Sequence, residues 1–483
     1  MDIGGKDICI SPFSGLTIGP RGDIQLCCMA PLFSLGKLQE VDDLEEFYNS
    51  SPQLVEIRQL FSTGQYGTFE PCTKGCYNKE KAGDKGILKV VQETGCHNIL
   101  DYFKEDYEKI SRGEKVPIRF LEVTTSNQCQ ATCTMCSSQF SSQWAKIEEE
   151  TSNNPRFKIW RGHENQGVLR IDDPDIEKIV KVIPEITHFS IKGGEPFADI
   201  RNIYLLEKFA ELNLRNAQID ITTNAGILTN EEFFIIEKVL EKGCNIHINC
   251  SIDNVGKLYE YIRSIPFERS IRNVKKMHDM GCHVNIFMTH SVWNWFNFGD
   301  FLQYAVENDM SSWVGWICAF NFVWGGPFES DPRILSEELF NKGKEKSIAA
   351  LKKWGPQIAK FDTDFTLSAF EAKEYKMLPN EDAAPFIGQR WILQTYIDMM
   401  KVNRRHDILE LVPEIRDYYF HGKNLADYEW PMSNGKTLCF DKYGKQYERE
   451  SRVDDWAKIK QVLPEDWISD DGDGEDMQKP IAL

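Results

Sequence analysis

Cys129-Gln-Ala-Thr-Cys133-Thr-Met-Cys136 follows closely on Ile118-Arg-Phe-Leu-Glu-Val-Thr-Thr125, a run whose apolar and β-branched content predicts a buried strand. Three thiols spaced four and then three residues apart, in the loop that leaves such a strand, can wrap one iron–sulfur cluster. Three thiolates satisfy three irons of a [4Fe–4S] cluster and leave the fourth iron open to a ligand that is not protein. A zinc loop and buried structural thiols are the other readings of the triplet. Zinc sites usually close with a fourth protein ligand and favour paired cysteine spacings, and no partner pair or histidine lies nearby in the sequence.

Downstream, short β-rich runs alternate with amphipathic helical runs. The strands are predicted at Phe120–Thr124, His188–Lys192, Gln218–Thr223, Ile246–Ile252, Val284–Thr289 and Val314–Phe320. Asp173 and Pro174 read as the N-cap and first turn of one intervening helix, with Ile176, Ile179, Val180 and Ile183 as its apolar stripe. Thr229 and Glu232 form a capping box for the next, which Gly243 ends. Six repeats of strand then helix imply parallel strands with right-handed crossovers, in an open doubly wound sheet or in a barrel. In both, function sits at the C-terminal ends of the strands.

Residues at those ends are suited to a ligand. Gly193-Gly194-Glu195-Pro196 follows the second strand, and its glycines let the backbone approach closely. Glu195 could meet an ammonium group. Thr222 and Asn224 end the third strand, Ser251 and Asp253 the fourth; each pair has the alternate spacing that puts two side chains on one face. A hydroxyl with a carboxylate suits a ribose diol. Each pair also reads as an ordinary turn. His290 and Asn294 follow the fifth strand.

In this order, the three-cysteine loop, the Gly-Gly-Glu-Pro turn and the Ser-Ile-Asp ending resemble the radical S-adenosylmethionine (radical SAM) enzymes over roughly residues 118–330. The resemblance implies an α/β fold, a partial (β/α)6 TIM-type barrel. It implies that Cys129, Cys133 and Cys136 hold a [4Fe–4S] cluster whose open iron binds SAM. Gly193, Gly194 and Glu195 would then contact the methionine amino group, and Ser251 and Asp253 the ribose, with Thr222 and Asn224 also on the cofactor side. Met135 stands where the family usually has an aromatic residue before the third cysteine.

Upstream, Leu16 to Cys27 reads as a β-hairpin turning at Pro20 and Gly22, with Cys9 near one end and the adjacent Cys27 and Cys28 at the other. A helical stretch over Asp43–Phe61 leads to Cys72 and Cys76. Four thiolates from a hairpin and a returning loop could close a cluster or a zinc; scattered core cysteines are the other reading. The pattern resembles the twitch domain, the short relative of the SPASM domain, which carries an auxiliary [4Fe–4S] cluster. By that resemblance Cys9, Cys27, Cys72 and Cys76 are its ligands, although such domains usually follow the barrel. Cys28 could replace Cys27. The expected organisation is a small cysteine-rich β-hairpin and helix domain at 1–100, a linker at 101–117, the radical SAM core at 118–330 and a mainly helical C-terminal extension with an acidic tail at 331–483.

The chain has 483 residues, 14 of them cysteine, and Lys plus Arg at 56 against Asp plus Glu at 74 gives a net charge of −18. That charge opposes a general nucleic-acid surface. No apolar run reaches membrane-spanning length, and the cysteine count without an export signal points to a reducing cytoplasm. The tail Asp470-Asp-Gly-Asp-Gly-Glu-Asp476 reads as solvated. The resemblance implies reductive cleavage of SAM to a 5′-deoxyadenosyl radical and abstraction of hydrogen from a substrate. A peptide or protein substrate is expected, oxidised or crosslinked as by a maturase, with the auxiliary cluster as electron acceptor and a flavodoxin or ferredoxin as electron donor. Small-molecule dehydrogenation and methyl transfer on the same core are alternatives, as is a non-catalytic cluster-binding scaffold or sensor.

Overall fold

The structure, a computed structural model, describes residues 9–28, 33–73, 97–151, 167–212, 217–323, 328–375 and 404–420, with shorter pieces at 2–3, 6–7, 214, 396–397, 400, 429–431, 436–440 and 446–450. A nine-stranded sheet dominates it. Its strands are β1 (Gly15–Ile18), β2 (Asp23–Gln25), β3 (Ser34–Lys37), β4 (Phe120–Thr124), β5 (His188–Lys192), β6 (Gln218–Thr223), β7 (Asn245–Ser251), β8 (His283–His290) and β9 (Trp316–Phe322). They lie in the order β9-β8-β7-β6-β5-β4-β1-β2-β3.

From β4 to β9 each strand runs parallel to its neighbour. The six expected core strands are present, with ends shifted by at most two residues. The hairpin of β1 and β2 also forms, turning through Gly22 at φ +73°. It does not stand apart from the core sheet. β1 pairs in parallel with β4, Gly15 opposite Phe120 and Ile18 opposite Val123. A Cβ on Gly15 would lie 1.8 Å from the Phe120 carbonyl oxygen, so this approach requires glycine. β2 and β3 then extend the sheet antiparallel.

One face of the parallel strands is aliphatic and the other polar, as a period of two dictates. Leu121, Val123, Phe189, Ile191, Ile219, Ile221, Ile248 and Ile286 are fully buried. The Phe189 ring lies 5.0 Å from Phe209 of helix Ile200–Leu212, which places the crossover helices on this outer face. Each such side chain contributes about 1.5–3 kcal/mol by leaving water. The inner face carries Glu122, Lys192, Asp220, Thr222, His247, Asn249, Ser251 and Asn285, most of them half-buried.

Elsewhere the boundaries are sharper than the sequence suggested. Asp43–Phe61 is two helices, Leu44–Ser50 and Pro52–Ser62, because Pro52 has no N–H to continue the first. Helix Asp173–Val182 takes Asp172, not Asp173, as its N-cap, with Pro174 in the first turn. Within 101–117, expected as a linker, lies most of helix His97–Ser111, which sets Phe103 and Tyr107 against Phe13 at 6.1 and 5.1 Å. After β9, helices Glu337–Trp354 and Thr363–Ala372 follow as expected. The extension is not helical throughout: Glu429–Pro431, Lys436–Phe440 and Gln446–Glu450 form an antiparallel sheet, the middle strand carrying the β-formers Thr437 and Phe440. The acidic tail lies outside the described residues.

Candidate active site

The cysteine loop leaves the C-terminal end of β4 and is hydrogen-bonded along its length. Ser141 Oγ donates to the Ala131 carbonyl at 2.7 Å, and the indole of the fully buried Trp144 donates to the Cys133 carbonyl at 2.9 Å. The Cys129 N–H reaches Ser142 Oγ at 3.2 Å. From across the sheet, the Thr132 N–H donates to Ser264 Oγ at 2.8 Å and the Thr134 N–H to the Ile262 carbonyl at 2.8 Å. Arg404, from the C-terminal extension, donates to Thr132 Oγ1 at 2.6 Å and to its carbonyl. Backbone groups this fully engaged leave the loop few alternative shapes.

The three sulfurs sit in this frame with Cys129 and Cys133 buried and Cys136 half-buried. The Ala131 N–H points at Cys129 Sγ at 3.4 Å, with the Asn224 amide at 4.0 Å. Burial first, then the charges of Cys133 and Glu195, push the Cys129 thiol well above its ordinary value. Among the described residues no three His, Cys, Asp or Glu side chains converge as a ready-made ion cage. The fit to an iron–sulfur cluster lies in donor chemistry: three thiols on one braced loop, with N–H groups aimed at sulfur.

The Gly193–Glu195 turn lies against the start of this loop. The Gly194 N–H donates to the Ser126 carbonyl at 3.2 Å and the Glu195 N–H to the Gln128 carbonyl at 2.8 Å. Gly193 has φ +135°, and a Cβ on Gly194 would come within 2.4 Å of the Gln128 oxygen. The glycines thus serve backbone contact with the cysteine loop itself. Glu195 is buried, and its carboxylate accepts the Thr223 hydroxyl at 2.6 Å, the Asn224 N–H at 2.8 Å and the Phe197 N–H at 3.3 Å. Burial raises its pKa to about 7, against the lowering pull of those three donors. Asn224 Oδ1 accepts from Gln130 Nε2 at 2.9 Å, a second tie to the loop.

Thr222 and Ser251 stay half-buried on the inner face. Asp253 does not share Ser251's setting, because β7 ends at Ser251 and the alternation ends with it. It is fully buried, accepts the Thr289 N–H at 2.9 Å and pairs with Arg263. His290 is also fully buried, against Phe298, Phe322 and Phe370, with a ring nitrogen 2.7 Å from the Ala319 carbonyl oxygen. Asn294 is buried and donates to the Asp253 carbonyl at 2.7 Å.

A family model described as the Radical SAM superfamily matches residues 123–305, the span that holds the cysteine loop and every rim residue above. No curated protein matches the chain. Among solved structures, native anSMEcpe with bound AdoMet is similar at 15% identity and TM-score 0.33, covering 49% of this chain and 60% of that one. Streptococcus suis SuiB bound to its precursor peptide SuiA matches at 14% identity and TM-score 0.33 over 94% of this chain and 88% of that one. The radical S-adenosylmethionine methyltransferase TsrM from Kitasatospora setae matches at 10% identity and TM-score 0.29 over 41% and 35%. The chain thus spans about three-fifths of the length of the first of these.

Two residues in or against the matched span carry no motif in the sequence. Arg404 lies 272 positions beyond Thr132, to which it donates. Arg263 ends helix Gly256–Arg263 as an ordinary basic last-turn residue, yet its Nη1 lies 3.7 Å from Cys133 Sγ. A basic residue at a helix C-terminus is a common signal, so spacing alone could not single it out.

Of the N-terminal cysteines, Cys9, Cys27, Cys28 and Cys72 lie among the described residues. Gln25, two residues before Cys27, pairs with Ser34, and Phe33 packs edge-on against Phe69 at 4.9 Å. Phe69 is the N-cap of the helical turn Glu70–Cys72, which carries Cys72. Cys9 precedes the turn Ser11–Ser14 that leads into β1, its Sγ 3.7 Å from Ser11 Oγ. Cys76 and Cys96 lie outside the described residues. Cys28 is exposed; its thiol is raised above the ordinary value, with Glu122 raising it and Lys192 opposing, and those two form a 2.5 Å ion pair on the inner face.

Proposed function

We propose that this protein is a radical SAM enzyme that cleaves S-adenosylmethionine reductively and takes a hydrogen atom from a peptide or protein substrate. The observation that carries the reading is the braced loop at the C-terminal end of β4, with three thiols and N–H donors toward sulfur, inside a span that matches the superfamily. Cys129, Cys133 and Cys136 would hold the [4Fe–4S] cluster. A cluster held there would supply the single electron needed to cleave bound SAM at its sulfonium into methionine and a 5′-deoxyadenosyl radical.

The chain's own residues bind and orient. Thr222 and Ser251, half-buried on the inner face, offer hydroxyls to the nucleoside. Gly193 and Gly194 bring main-chain groups to the methionine end beside the cysteine loop. Glu195 and Asn224 hold that wall to the cysteine loop, and Asp253 holds β8 to the end of β7. The substrate would lie along the inner face, past the Glu122–Lys192 pair and Asp220. Burial would raise Asp220, but His188 at 2.6 Å holds its carboxyl below the ordinary value, keeping an anion on that wall. That anion and the net charge of −18 favour a basic peptide segment. We assign the N-terminal module, with Cys9, Cys27, Cys72 and Cys76, as the holder of an auxiliary cluster that accepts the substrate's second electron, with a flavodoxin- or ferredoxin-type donor supplying the first.

Anaerobic reconstitution, iron analysis and incubation with SAM and dithionite test this. About eight irons per chain and 5′-deoxyadenosine among the products are expected. Alanine at Cys129, Cys133 or Cys136 should abolish the nucleoside product, and alanine at Cys9, Cys72 and Cys76 together should leave about four irons. A loaded Cys129 site that never cleaves SAM overturns the catalytic reading. An iron count unchanged by the triple substitution rejects the auxiliary one.

A further inference from the structure

Arg263 and Asp253 form a buried ion pair beside the middle cysteine of the loop. The Arg263 side chain is 13% exposed and that of Asp253 0%. Asp253 is fixed from two other directions, by the Thr289 N–H at 2.9 Å on its carboxylate and by Asn294 on its carbonyl at 2.7 Å. Nε of Arg263 goes to Asp253, leaving Nη1 aimed at Cys133 Sγ, 3.7 Å away. The Cys133 thiol also lies 3.9 Å from Arg263's own carbonyl oxygen, a contact made by its proton and given up once the sulfur binds iron. A buried pair like this costs desolvation that a hydrophobic pair would avoid. Its retention beside a sulfur calls for a role there.

We propose that Arg263 is a positioning residue for the cluster held by Cys133: its guanidinium, aimed by Asp253, offsets thiolate charge and raises the potential at which that cluster is reduced. The inference rests on the cluster assignment to Cys129, Cys133 and Cys136. Hydrogen bonds and positive charge at a ligand sulfur favour the reduced, more negative cluster, the general lever by which proteins set such potentials. An arginine guanidinium keeps its charge at any pH at which proteins fold. Its planar fork lets one nitrogen serve Asp253 while another serves the sulfur, which an ammonium cannot match in one fixed geometry.

The test is a redox titration of reconstituted full-length protein followed by electron paramagnetic resonance, with the SAM-responsive signal marking the cluster that has an open iron. Arg263→Gln is expected to shift the midpoint of that signal to more negative potential, with iron content and the SAM response retained. Arg263→Lys, which keeps charge without the fork, should fall between. A midpoint equal to wild type in Arg263→Gln overturns the inference. Where Arg263→Gln holds no cluster, Arg263→Lys decides: a lowered midpoint supports the proposal and an unchanged one overturns it. Absence of any SAM-responsive signal in the wild-type protein rejects the cluster assignment instead, so the two failures are told apart.

Discussion

The carboxylate of Glu195 accepts the backbone N–H of Asn224 at 2.8 Å, so the turn after β5 is tied to the turn after β6. Glu195→Ala strips the Thr223 hydroxyl and the Asn224 and Phe197 N–H groups of that acceptor. At about 1–3 kcal/mol for each buried polar group left unmet, partly relieved by relaxation, a loss of roughly 3 kcal/mol is expected in urea denaturation. The same carboxyl makes stability depend on pH. Its pKa is about 7 in the folded protein against an ordinary 4.5, so the folded state holds the extra proton between those values. Its contribution is full below about pH 4.5 and is lost as pH rises through 7. Glu195→Gln, which does not titrate, should flatten that fall; an unaltered slope would assign it elsewhere.

Gly194→Ala should damage the cysteine loop specifically. The new Cβ would meet the Gln128 oxygen at 2.4 Å and the Asn127 carbonyl at 2.7 Å, and backbone cannot swing aside as a side chain can. Overpacking of this kind costs about 1–3 kcal/mol. Gly113→Ala is the control: nothing lies within 4 Å of its Cβ position, and only its φ of +77° is unfavourable, for about 1–2 kcal/mol. Both variants should lose stability, but only Gly194→Ala should lower the iron retained after reconstitution.

His290 should give a pH dependence of opposite sign. Burial lowers its pKa from 6.5 to about 4, with the hydrogen bond to Ala319 opposing. The folded protein therefore refuses a proton that the unfolded chain accepts. Stability from this residue is full above about pH 6.5 and is lost as pH falls through 4, a span worth at most about 3 kcal/mol. His290→Gln should remove that slope from denaturation curves between pH 6.5 and 4, whatever its effect on absolute stability.

Thr229→Ala tests a feature written entirely in local sequence. Thr229 Oγ1 accepts the Glu231 N–H at 3.2 Å, and the Glu232 carboxylate accepts the Thr229 N–H at 2.6 Å, forming the capping box of helix Asn230–Glu241. A loss of about 1 kcal/mol is expected, with SAM cleavage unchanged.

Local patterns carried most of the scaffold. Strand and helix periods, the capping box and the glycine stops place β4 to β9 and their helices because each rests on neighbours a few residues apart in the chain. The cysteine loop was legible for the same reason. Less legible were departures from a period: Ser251 and Asp253 look like one face by spacing, but β7 ends between them, and His290 looks like a rim residue until three phenylalanines enclose it.

The sequence by itself determined an alternating α/β core and a three-thiol loop at a strand end. These follow from period, spacing and thiol chemistry, and no distant residue is needed to see them. Only the tertiary structure decided that β1 joins the sheet beside β4, that Glu195 and Asp253 turn inward to tie loops together, and that Arg263 and Arg404 reach the cysteine loop. Those relations span tens to hundreds of residues. They exist because burial forces each charged or polar group to find a partner, and the nearest partner in space is rarely the nearest in the chain.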